Sequence, residues 1–82
     1  MHHELKILSP YFDAVISGRK TFEIRQDDRG FQAGDSVTLN EYDPEGMKYT
    51  GRKYHAMIGY VTAYEQQPGY AVFSLLPVHS HD

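Results

Sequence analysis

The sequence predicts a small, mainly β domain with one short helix. Its elements run β-α-β-β-β-β, and five short strands form a curved sheet or partly open barrel. Three observations carry this. Five stretches alternate apolar and polar residues at the period of a strand, whereas one stretch, around Phe12, repeats at i, i+3 and i+4. Short clusters of Gly, Pro, Asp and Gln separate the stretches. Gly59 interrupts the longest of them, where a bulge or sharp bend is expected.

Each element has its local reason. "HHELKIL" places His3, Leu5 and Ile7 on one strand face and mostly polar residues on the other. Ser9-Pro10 reads as an N-cap followed by proline at the first helical position. "PYFDAVIS" then carries a stripe of Phe12, Val15 and Ile16, with Tyr11 and Val15 as a second pair. Gly18 sits where a left-handed C-terminal cap belongs. This helix is about two turns long and depends on packing against a sheet. "KTFEIR" alternates again, with Phe22 and Ile24 on one face and Thr21, Glu23 and Arg25 on the other; that polar face is solvated surface if it is exposed and lines a cavity if the sheet curves into a barrel. Lys20 begins this strand on the Phe22 face. "QDDRG" is turn chemistry, and Gly34-Asp35 leads into a strand with Val37, Leu39 and Glu41 opposed to Thr38, Asn40 and Tyr42. "PEGMKYTG" (44–51) reads as a loop, "RKYHAMIGYVTAY" (52–64) as a long strand, "EQQPG" as a turn and "YAVFSLLPV" (70–78) as the last strand.

An 82-residue chain holds one core and no second. Residues 1–78 are read as the domain and 79–82 as a flexible tail. No apolar run approaches the roughly 20 residues of a membrane span, and "MHHELKILSP" lacks the apolar region of a signal peptide. With no cysteine, the expectation is a cytoplasmic protein without disulfides or thiolate metal sites.

The net charge of −3 means that the chain as a whole does not condense onto nucleic acid. Seven of its eight basic residues nevertheless fall in two stretches, Arg19, Lys20, Arg25 and Arg29, then Lys48, Arg52 and Lys53. A local basic patch forms if the two stretches share a face; otherwise they are scattered solvated charge. In "KYTGRKY" (48–54) the cations are interleaved with Tyr49 and Tyr54, which suits base stacking with phosphate attraction but equally suits cross-strand packing. Tyr60 and Tyr70 are read as packing residues. His2-His3 and His79-x-His81-Asp82 resemble metal-ligand fragments, but each lies at a terminus with no third clustered ligand and is read as a polar tail. No metal or cofactor is expected, and no nucleotide-loop, hydrolase-elbow or zinc-peptidase motif is present.

The segment "YFDAVISGRKTFEIRQDDRGFQAGDSVTLNEYDP" resembles the ASCH domains of the PUA-like superfamily, in particular a small group of uncharacterised bacterial and phage proteins. The matching residues are His3–Leu8, Tyr11-Phe12, Gly18, Lys20, Glu23-Ile24-Arg25, Asp28-Arg29, Phe31, Gly34-Asp35 and Glu41-Tyr42-Asp43-Pro44, followed by "YTGR" (49–52) and "GYAVFSL" (69–75). The resemblance implies a PUA-like pseudo-barrel with a cleft beside the helix that takes RNA or a nucleotide-like ligand. It carries over Lys20, Glu23 and Arg25 as the site, with Thr21 and Arg19 adjacent and Tyr11 nearby. Lys48, Tyr49, Arg52, Lys53 and Tyr54 would extend the surface. Some ASCH-like relatives are amidohydrolases acting on an acetylated cytidine through a lysine, a threonine and a later glutamate. Lys20 matches their lysine, which makes Lys20 and Glu23 the catalytic candidates. Glu23, however, stands at the threonine position, and the insertion supplying the glutamate is reduced to "EQQPG" (65–69). The resulting order is a binding module first, an accessory interaction protein of the kind a phage encodes second, and a small amidohydrolase third.

Overall fold

The computed structural model describes residues 1–78; the tail at 79–82 lies outside the described residues. The elements are β1 (His2–Leu8), α1 (Ser9–Ile16), β2 (Phe22–Gln26), β3 (Ser36–Asp43), β4 (Lys48–Thr62) and β5 (Tyr70–Pro77). Their order is the one that alternation predicts. The strands form one sheet ordered β1-β3-β4-β5-β2, with β1 parallel to β3 and the other neighbours antiparallel. The sheet curls into a half-barrel, so that its two edge strands, β1 and β2, face each other across an open seam.

Alternation sets the inner face. His3, Leu5 and Ile7 of β1 lie opposite Val37, Leu39 and Glu41 of β3, and all six are buried. The core continues through Ala56 and Ile58 of β4 and Phe73 and Leu75 of β5. α1 closes the end reached by the C-terminus of β1, inserting Phe12 and Val15. Fully burying a side chain such as Phe12 contributes about 1.5–3 kcal/mol. Phe31, from the β2–β3 loop, closes the other end, its ring 4.7 Å from His3 and 4.9 Å from Phe73.

Several local expectations need correction. Leu8, in extended conformation, is the N-cap of α1; Ser9 lies inside the helix and its hydroxyl donates to the Tyr42 carbonyl at 3.3 Å, tying α1 to β3. Ile16 and Tyr11 are exposed, so the helix stripe narrows to Phe12 and Val15. Gly18 does take the left-handed conformation, with φ 82°, and its N–H donates to Val15 O. The loop expected at 44–51 is shorter, because β4 already begins at Lys48. Tyr42 pairs with Tyr49 and Asn40 with Lys53, so the bulge at 50–52 is accommodated inside the strand, where Gly51 has φ 91°. The bend expected at Gly59 is present as the register shift between Ile58 and Val61. A Cβ there would lie 2.9 Å from the Ser74 hydroxyl.

Alternation leaves open which way the polar face of β2 looks, and burial answers it. Phe22 and Ile24 are exposed at 42% and 52%, while Glu23 is 4% exposed. The register explains this. Glu23 lies opposite Phe73 and Arg25 opposite the small Ala71, both of which point inward. The polar residues of β2 therefore occupy the inner face.

His3 is no tail residue either. Buried against Phe31, it hydrogen-bonds through Nε2 to Asp35 Oδ2 at 2.9 Å; the Gln32 N–H donates to the same oxygen, and the Met1 ammonium lies 3.2 Å from the other. The His3 hydrogen bond holds the Asp35 carboxyl below its ordinary range. A carboxylate of lowered pKa contributes stability that is complete above about pH 4 and is lost as pH falls through its folded-state value. Glu4, lowered by its hydrogen bonds to Asn40 and His2, adds in the same direction. The urea midpoint is expected to be lower near pH 3 than near pH 7, and Asp35→Asn is expected to flatten that acid limb. An unchanged limb in the variant would exclude this pair as its source.

Candidate functional site

Beside α1, where β1 and β2 face each other, lies a cleft of about 320 Å³. One wall is the free edge of β1 (Lys6, Ile7, Leu8) with Tyr11 of α1; the other is Phe22, Glu23, Ile24 and Arg25, with Lys20 preceding them. Glu23 is its electrostatic centre. Lys20 Nζ pairs with Glu23 Oε1, and Arg25 Nε donates to Glu23 Oε2 at 2.8 Å. Lys20 Nζ also donates to the Phe22 carbonyl at 2.8 Å and lies 5.2 Å from the Phe22 ring centroid. A buried carboxylate without partners is costly, and here both oxygens are matched by cations.

Arg25 does more than neutralise Glu23. Its Nη2 crosses the seam to the Lys6 carbonyl at 2.7 Å, and Arg29 Nη1 reaches the Glu4 carbonyl at 3.0 Å. Glu4 and Lys6 are two residues apart, so both carbonyls point away from β3 along the unpaired edge of β1. Two guanidinium groups thus clasp an edge that backbone pairing leaves open.

A second cleft, of about 330 Å³, lies around the end of β3 beside the bulge of β4. Glu4, Leu5 and Lys6 line it from β1, Asn40 and Glu41 from β3, and Tyr49, Gly51, Arg52 and Lys53 from β4. Buried Glu41 accepts the Thr50 hydroxyl at 2.6 Å and lies 3.6 Å from Arg52 Nη1. Arg52 also reaches Asp13 at 3.6 Å and stacks 4.9 Å above Phe12.

Of the residues expected at the site, Tyr11, Lys20, Glu23 and Arg25 meet in the seam cleft, while Tyr49, Arg52 and Lys53 meet in the second. The others line neither. Thr21 is exposed and its carbonyl accepts the Leu75 N–H. Arg19 donates to the Ser17 hydroxyl, Lys48 stands opposite Asp43, and Tyr54 packs against the core. Lys6, Ile7, Leu8, Phe22 and Ile24 are site residues that local sequence reasoning misses. No local signal marks Lys6, whose carbonyl meets a guanidinium 19 positions away. Glu41 did carry a signal: it falls in phase with Val37 and Leu39, where a carboxylate has to be paired. Among the described residues, no cluster of three or more His, Cys, Asp or Glu side chains is placed to hold a metal ion, and no helix is long and apolar enough to cross a membrane.

Residues 2–75 match the model of a family described as a domain of unknown function, DUF3850. The chain belongs to the DUF3850 family. The DUF3850 chain is also similar to the "Uncharacterized 12.9 kDa protein in GpA 3'region" of Escherichia phage P2, with 43% identity over 60 residues. That stretch is 73% of this chain and 53% of the phage protein, so the chain spans about half the length of its relative. In this DUF3850 domain, both clefts lie wholly within the matched residues.

Proposed function

We propose that this DUF3850 domain is an ASCH-like, PUA-like module that binds RNA or a nucleotide-like ligand in the seam cleft. The observation that supports the reading best is Glu23, buried at the cleft and held between Lys20 and Arg25. Beyond these pairings, Arg25 keeps further guanidinium N–H donors and each Glu23 oxygen a further lone pair, together the complement of a base edge carrying both amino and carbonyl groups. Tyr11 and Phe22 line the same cleft and are 55% and 42% exposed, as aromatic faces for stacking must be. Its volume falls at the lower end of small-ligand sites, about 300–1,000 Å³. Titration of fluorescently labelled single-stranded RNA at low and moderate salt is expected to show binding that Arg25→Ala weakens at least tenfold, or about 1.4 kcal/mol. Absence of binding at low salt, or binding indifferent to Arg25→Ala, overturns the reading.

A protein-interaction role has its own support. The outer faces of β5 and the second half of β4 expose Met57, Tyr60 and Leu76, continuous with Phe22 and Ile24 at the cleft rim, and no charged residue of these strands shares that face, Lys20 standing at its edge over Phe22. Uncharged patches of this kind mark contact surfaces. Recovery of a defined protein complex free of nucleic acid would favour this role.

A further inference from the structure

The cations of the seam cleft are already engaged. Lys20 and Arg25 pair with Glu23, and Arg25 also holds the Lys6 carbonyl. Arg29 and Arg52 likewise lie within 4.0 Å of carboxylates. Among the described residues, the lysines with no carboxylate that close are Lys6, Lys48 and Lys53. Two of these, Lys6 and Lys53, line the second cleft, and Lys6 also lines the first.

We infer that the ligand is a single-stranded nucleic acid of at least two nucleotides rather than a free nucleotide, running from the seam cleft across Lys6 into the second cleft. The inference rests on the function proposed above. One base enters the seam cleft, Lys6 and Lys53 take the backbone phosphates, and the next base stacks on Tyr49. Three observations lead here. The first is the division of charge: the two clefts together are lined by five cations and three carboxylates, in a chain of net charge −3. The second is that the carboxylates are occupied. Glu4 bonds to Asn40 and His2, Glu41 to Thr50 and Arg52, and Glu23 to Lys20 and Arg25. The attraction left for phosphate is therefore that of Lys6 and of Lys53, neither of which has a carboxylate within 4.0 Å, with Lys53 sharing part of its field with nearby Glu4. The third is aromatic continuity. Lys6 Nζ lies 4.8 Å from the Tyr42 ring centroid, and Tyr42 meets Tyr49 edge-on at 5.1 Å, with Tyr49 58% exposed. Cations beside an exposed ring are what sequence-tolerant single-strand binding requires.

The experiment is fluorescence anisotropy with a labelled ten-nucleotide single-stranded RNA, with adenosine monophosphate as competitor, over a salt series. The ten-mer is expected to bind at least tenfold more tightly than the mononucleotide. Each phosphate lysine lost should lower the slope of log K against log salt by about 0.7, for Lys6→Ala and Lys53→Ala separately. Tyr49→Ala should weaken the ten-mer by about 5–100-fold without changing the slope. Unfolding midpoints equal to that of the parent exclude loss of fold as the cause. A mononucleotide that competes as well as the ten-mer, with slopes unmoved in both lysine variants and binding still lost in Arg25→Ala, overturns the two-cleft path and leaves the seam site standing. Absence of binding by either probe overturns both.

Discussion

Glu23→Ala is expected to destabilise the fold by about 3 kcal/mol, the lower end of the range for removing one partner from a buried ion pair. The mechanism is local. The substitution removes the acceptor of both Lys20 Nζ and Arg25 Nε and leaves two cations facing each other across the space it occupied. The lower end applies because the Lys20 and Arg25 side chains retain 20% and 25% exposure, through which water screens part of the repulsion. Lys20→Ala is expected to cost under about 1 kcal/mol, since Arg25 still matches the carboxylate. Replacing all three charged residues by apolar ones of similar volume is expected to recover most of the loss, because burying the charges already carries a desolvation cost. Urea denaturation with a common m-value separates these outcomes. A loss under about 1 kcal/mol in Glu23→Ala would show that the ion pairs contribute little in this setting.

Phe12→Ala is the second large effect, about 3–4 kcal/mol. The side chain is 2% exposed between α1 and the inner face, with the Arg52 guanidinium stacked upon it. A two-turn helix has too little intrinsic stability to hold its place without that anchor. A small domain has about 5–10 kcal/mol in total, so the variant should melt on the order of 20 °C lower. It should also lose amide protection first in α1, because Val15, the Ser9 hydroxyl bond and the exposed Arg52–Asp13 pair then fix the helix. Tyr11→Ala, one residue earlier but exposed, is expected to change stability by under about 0.5 kcal/mol. Equal protection of α1 in Phe12→Ala and the parent would mean that the helix is held elsewhere.

Much of this architecture is legible in the sequence. Alternation located the strands, Gly18 marked the end of α1, and Gly59 marked the irregularity in β4. What alternation does not carry is direction. Alternation puts Phe22 and Ile24 on one side and Glu23 and Arg25 on the other without saying which side looks inward; here it is the polar side, because β2 is an edge strand whose inner face meets a cleft rather than the filled core. The same limit hid the β1 wall of the cleft. Lys6 becomes its neighbour only because β1 and β2, near in sequence, are the two ends of the spatial order. His3 and Glu41 were readable in a weaker way, as polar residues in phase with apolar ones. The pattern announced that each needed a partner but did not name Asp35, Thr50 or Arg52.

The arginine clasp makes one coordinate of the molecule softer than the rest. Separating any two adjacent strands of the sheet means breaking a ladder of main-chain bonds. Moving β1 away from β2 breaks no such ladder: Arg25 and Arg29 rotate away from two carbonyls and His3 slides on Phe31, while α1 still tethers the edges at one end. The gap therefore behaves like a door with the helix as hinge and the guanidinium groups as latch. A guest can set its opening at the cost of two side-chain hydrogen bonds, each about 1.5–3 kcal/mol, with every strand pairing left in register.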